Sequence, residues 1–165
     1  ACGDFRMRDP RAVERLAGLR GELVAERVQF ASPQRVDQVA AEGDALATAL
    51  GKAMMALLPA TQTEALIDSF SSQSYTPKTV TSAEQLREEL ARVRREGYAI
   101  DDEESVVGVR CLAVAVLGDE QMPIAGISIS GPISRMSNER LAEFAAVIRT
   151  AAWQTATRYQ TASSS

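Results

Sequence analysis

A chain of 165 residues, 45% of them hydrophobic, is most economically one domain that needs neither a disulfide nor a metal to hold its core. Its net charge of −4 argues against nucleic-acid binding by this chain alone, because a phosphate backbone demands a clustered excess of Lys and Arg. Histidine is absent, so a Ser or Cys triad would lack its usual base, and Cys2 and Cys111 lie far apart without the CxxC spacing of a zinc site.

Residues 1–10 show no basic start followed by an apolar core, and the apolar runs fall well short of the roughly 18 residues needed to span a bilayer. A soluble, cytoplasmic protein without a membrane segment is expected. Position 1 is not Met, which suggests a fragment or a processed chain.

Residues 12–19 and 23–30 flank Gly21 and read as a first hairpin, with a helix as the competing reading; residues 35–40 form a candidate third strand. From Thr48 the period changes. The segment TALGKAMMALLP places Leu50, Met54, Leu57 and Leu58 on one helical stripe that Pro59 stops. Thr61 and Glu64 have the spacing of a capping box, which predicts a short helix to about residue 70. Ser82 and Gln85 have it too, and Leu86, Leu90 and Val93 follow at helical steps, so an amphipathic helix over residues 83–96 ends at Gly97.

Residues 98–100 can be a strand, followed by the acidic run DDEE at 101–104. In GVRCLAVAVLGDEQMPIAGISISGP, residues 108–132, the alternation predicts a hairpin. Val109, Cys111, Ala113 and Ala115 share one face with Gly126, Ser128 and Ser130. The opposite face carries Leu112, Val114, Val116, Ile127 and Ile129. Ser137 then caps a terminal helix that keeps Leu141, Phe144, Ala145, Ile148 and Ala152 in register to about residue 159. Strands in hairpins with helices between them indicate an α+β fold.

A small buried hydrophobe is the commonest role of a free cysteine, but same-parity residues on paired strands share a surface, so Cys111, Ser128 and Ser130 are also candidate contacts for a small ligand. For the serines, the competing reading is a solvent-facing side of the sheet. The helix start at TALGKA offers unpaired amides to an anion, although every helix has such an end. Lys52 reads equally as a solvated cation or an anion contact. Asp101 reads as a solvated loop acid or as an acceptor for a ligand hydroxyl.

Three segments together resemble the C-terminal effector-binding domain of the IclR (isocitrate lyase regulator) family of bacterial transcription regulators. They are ATALGKAMMALLP, YTPKTVTSAEQLREELARVRREGYAIDDEESVVGVRCLAVAV and IAGISISGPISRMSNERLAEFAAVIRTAA. Upstream, LAGLRGELVAERVQFASPQRVDQV resembles the family's first hairpin and third strand.

The resemblance implies a GAF-like or profilin-like fold, a curved antiparallel sheet with helices on one face and a small-molecule pocket on the other. Residues 11–160 would be the effector domain, residues 1–10 the remnant of a linker, and residues 161–165 a frayed tail. It implies a small organic acid, carboxylic or aromatic, held by the Ala49 and Leu50 amides, Asp101, the apolar wall of Val109, Cys111, Ser128 and Ser130. No cofactor or metal is called for.

A homodimer or homotetramer is implied, contacting DNA only through a winged helix-turn-helix that this chain does not contain. The chain reads DALATALGKA where the family commonly has LPLHATALGKA, so a Pro and a His are gone and an aromatic or aliphatic acid fits as well as a two-carbon one. Two rival readings are a Cys111-dependent hydrolase and an oligomerisation module with a vestigial pocket, the latter compatible with an apolar Trp153 on the last helix.

Overall fold

The computed structural model describes residues 48–70 and 73–163. The expected first hairpin and third strand, residues 12–40, lie outside the described residues. Helix α1 spans Ala49–Met55, α2 Ala60–Asp68 and α3 Ala83–Glu96; strands β1 (Ala99–Asp102), β2 (Val109–Leu117) and β3 (Pro123–Pro132) follow, and α4 covers Asn138–Ser163. The three strands form an antiparallel sheet in the order β1-β2-β3.

Local chemistry accounts for the element ends. Extended Thr48 accepts the Gly51 amide on its Oγ1 at 3.1 Å, which starts α1. The stripe expected to continue to Leu58 ends a turn early: the Leu57 and Leu58 amides bond three residues back, to the Met54 and Met55 carbonyls, before Pro59. The second helix begins at Ala60 with Pro59 at its head, so the expected Thr61–Glu64 capping box does not form. Thr63 instead donates its hydroxyl to the Met55 carbonyl at 3.1 Å, and Glu64 pairs with Arg87 of α3. Ser82 caps α3 as expected, accepting from the Gln85 amide, and Gly97 closes it at φ 74°, a left-handed conformation that suits glycine.

The hairpin register sets the rest of the architecture. Cys111 lies opposite Ser130, Ala113 opposite Ser128 and Ala115 opposite Gly126, while Asp101 and Ala99 of β1 lie opposite Cys111 and Ala113. The large-residue face, Leu112, Val114, Val116, Ile127 and Ile129, packs against Met136 and, on α4, Phe144, Ala145 and Ile148. Burying one Phe or Ile in such a core contributes about 1.5–3 kcal/mol, which is why α4 stays on the sheet. Farther along α4, Trp153 is 69% exposed.

The α+β class and the antiparallel hairpin agree with the sequence. The layers differ from the expectation in one respect: helices cover both faces of the sheet rather than one. On the small-residue face, Ala99 and Ala113 pack with Ala49, Ala53 and Met54 of α1 and with Leu86, Leu90 and Val93 of α3. Small side chains on both surfaces let α1 approach closely. A Cβ on Gly126 would lie 2.4 Å from Leu50 Cδ1 and 3.3 Å from Met54 Sδ, so the Leu50 side chain occupies the space that this glycine leaves.

Candidate functional site

All seven residues expected to contact a ligand lie on or beside the small-residue face. Asp101 (β1), Cys111 (β2) and Ser130 (β3) form one rung across the sheet, Ser128 pairs on the next rung with Ala113, and Val109 continues the same face. Ala49 and Leu50 open the helix that covers it. The structure separates these residues by exposure. Ala49, Asp101 and Ser128 are buried, whereas Leu50, Val109, Cys111 and Ser130 are half-buried, so the face is accessible at its Val109–Cys111–Ser130 end.

Asp101 is not a solvated loop acid. Its Oδ1 accepts the Glu104 amide at 2.7 Å and the Ser105 amide at 3.3 Å, and its Oδ2 accepts the Ser105 hydroxyl. The carboxylate thus folds the loop after β1 back on itself, as Asp side chains do in Asx turns. A second latch holds the same loop from outside. Thr76 donates its hydroxyl to the Glu103 carbonyl at 2.7 Å and Thr79 donates to the Glu104 carbonyl at 2.6 Å.

Glu104, which the sequence reading left inside an acidic run, enters the interior. It is 6% exposed, and its Oε1 accepts the Lys52 ammonium at 2.5 Å; Lys52 itself is fully buried and lies 3.7 Å from Glu89 of α3. Neither the solvated-cation nor the free anion-contact reading of Lys52 describes this pair. Burial pushes the Glu104 carboxyl above its ordinary range despite the opposing attraction of Lys52. The sequence did carry a signal: a lysine between Gly51 and Ala53, on a helix that must lie on a small-residue face, needs a buried carboxylate partner.

Burial also pushes the Cys111 thiol up; a hydrogen bond with Ser130 works against this, and the Asp101 and Glu104 charges add to it. At neutral pH the group is a thiol rather than a thiolate, which suits a weak polar contact and not a nucleophile. On the other face Arg110, also buried, ties the strands to α4. Its Nη2 lies 2.6 Å from Asp102 Oδ1, and its Nη1 donates to the Met136 carbonyl at 2.7 Å and to Asn138 Oδ1 at 3.0 Å. Among the described residues, no group of His, Cys, Asp and Glu side chains could hold a metal ion, and no helix is long and apolar enough to cross a membrane.

The antiparallel hairpin thus carries a polar rung on its small face, with a short helix over that face and a long helix behind the other. The family model for the bacterial transcriptional regulator IclR C-terminal region matches residues 16–157. The chain belongs to the IclR family, of which it carries the C-terminal domain.

It is 41% identical over 113 residues to the transcriptional repressor IclR of Escherichia coli K12, covering 68% of this chain and 41% of that repressor's length. The crystal structure of the C-terminal domain of the E. coli regulator KdgR matches with a TM-score of 0.65 and 37% identity, over 68% of this chain and 69% of that one. A further match is a double mutant of the PobR transcription factor inducer-binding domain from Acinetobacter, solved with 3-hydroxybenzoic acid. It has a TM-score of 0.62 and 27% identity over 67% of this chain and 64% of that one.

Proposed function

We propose that this domain senses a small organic acid and that occupancy alters operator binding by a DNA-binding domain elsewhere in the full regulator, in the cytoplasm. The observation that carries the reading is the Asp101–Cys111–Ser130 rung. The hairpin brings one carboxylate, one thiol and one hydroxyl from three strands onto a single row. Cys111 and Ser130 on that row are half-buried, beside a helix whose first amides lack intrahelical acceptors.

In this reading the acid's carboxylate meets the Ala49 and Leu50 amides and the hydroxyls of Ser128 and Ser130, its body lies against Val109 and Cys111, and Leu50 limits the depth it reaches. Support comes from the PobR inducer-binding domain, which shares the fold and holds an aromatic acid. The protonated Cys111 and the lack of histidine favour binding over turnover. Effector binding acts on DNA by favouring one of two assemblies of a homodimer or homotetramer, in proportion to its differential affinity for them.

A thermal-shift screen against small carboxylates, from pyruvate to benzoate derivatives, tests this directly. An acid at about 100 times its Kd stabilises the folded state by about 2.7 kcal/mol. The expected result is a shift for a few related acids that is lost in Ser130→Val. No shift with any acid, or shifts unchanged in the variant, would overturn the assignment.

A further inference from the structure

Asp101 lies on the row but does not open onto it. It is 1% exposed, whereas its cross-strand neighbour Cys111 and, beyond that, Ser130 are half-buried. Its carboxylate is also committed elsewhere. The Glu104 and Ser105 amides and the Ser105 hydroxyl take three of the roughly four acceptor positions that a carboxylate offers. An acceptor so occupied has little left for a ligand and serves to fix the backbone that it binds.

That backbone meets the row from two sides. The loop after Asp101 leads into Val109: the Glu103 amide donates to the Val109 carbonyl at 3.1 Å, the Val109 amide to the Val106 carbonyl at 3.2 Å, and the Gly108 amide to Glu103 Oε2 at 2.8 Å. Glu104, whose amide Asp101 holds at 2.7 Å, carries the carboxylate that takes the Lys52 ammonium at 2.5 Å. Lys52 belongs to α1, the helix that covers the small-residue face. One side chain on β1 therefore anchors both the strand start that walls the row and the helix that lies over it.

Resting on the sensor reading, we propose that Asp101 is a positioning residue rather than a ligand contact: it sets Val109 and α1 against the Cys111–Ser130 row. The effector then needs no hydroxyl aimed at β1, and hydroxylated and parent acids depend on Asp101 alike. Asp101→Asn keeps the anchor, because the new side chain's oxygen accepts the two amides and its nitrogen donates to the Ser105 hydroxyl. It also removes a negative charge one strand away from Cys111, which does not weaken the hold on an anion.

The test has two arms. Hydrogen exchange read at the Glu104 and Ser105 amides needs no ligand: Asp101→Ala should speed it about tenfold or more, and Asp101→Asn should leave it near the wild-type rate. Calorimetric titration with 3-hydroxybenzoate, benzoate, lactate and propionate reads binding. Asp101→Ala should weaken every acid that the wild type binds by about tenfold or more, and Asp101→Asn should bind each within about threefold of wild type or more tightly. A loss in Asp101→Asn confined to the hydroxylated acids, or exchange that Asp101→Ala leaves unchanged, would refute the positioning role and leave the sensor reading standing. Binding of none of the four acids by the wild type would overturn the sensor reading for these acids and the role that rests on it. Asp101→Asn decides between contact and anchor even if Asp101→Ala fails to fold.

Discussion

Replacing Lys52 by Met removes the charge and keeps most of the aliphatic stem. Lys52 is fully buried and Glu104 is 6% exposed, so the substitution leaves a desolvated carboxylate whose close cation, at 2.5 Å, is gone. Breaking a buried pair from one side costs about 3–5 kcal/mol, far more than breaking a solvent-screened pair such as Arg87–Glu64. For a domain of this size that loss lowers Tm by roughly 10–15 °C.

The pH dependence has a definite sign. The folded-state carboxyl of Glu104 is raised above its model value of 4.5, so its contribution to stability is fully present below that value and is lost as pH rises through the folded pKa. Removing the lysine removes the attraction that opposes the rise. The penalty of Lys52→Met should therefore be largest at neutral pH and shrink on acidification through the weakly acid range. Urea denaturation followed by circular dichroism at pH 7.5 and pH 5.5 measures both effects. The double variant Lys52→Met with Glu104→Gln should recover most of the stability lost at pH 7.5. A single-variant loss under about 1 kcal/mol, or a double variant no more stable than the single one, would refute the buried-pair reasoning.

Cys111 should alkylate slowly. In a Cys2→Ser background, iodoacetamide at pH 7.5 should react about tenfold or more slowly than with an unfolded control, because burial keeps the thiol protonated; equal rates would contradict this. Arg110→Met should cost about 2–4 kcal/mol by urea titration, since it removes the guanidinium from the Met136 carbonyl and Asn138 and leaves Asp102 only its longer contact with Lys78; a loss within 0.5 kcal/mol would show that water replaces it freely. Gly97→Ala should cost about 1 kcal/mol although the nearest atoms lie 3.8 Å from the added methyl, because the cost is the positive φ of 74° and not a clash; a neutral Tm would refute it.

The hairpin was readable because each face buries a different size class, so the period-two alternation survives into the three-dimensional register of Cys111 with Ser130 and Ala113 with Ser128. Ser82 and Gly97 were readable because capping is a local matter of one hydroxyl and one φ angle. The helix start at Thr61 was not, since a proline two residues earlier set the first turn and tertiary partners took Thr63 and Glu64. Asp101 read as a solvated loop acid or a ligand acceptor within an acidic run, yet Asp101 and Glu104 are drawn inward by backbone amides and by Lys52, which lies 52 positions from Glu104 in the chain. The covering of the small face by α1 depended on the fit of Leu50 over Gly126, a shape match that periodicity does not encode.

The central claim is the location of the effector. Backbone amide chemical shifts of the isotope-labelled domain, titrated with the acid that stabilises it most, test that location residue by residue. The account predicts the largest changes at Ala49, Leu50, Asp101, Cys111 and Ser130, with small changes along α4. Saturable shifts centred on α4 and absent from the rung would contradict it.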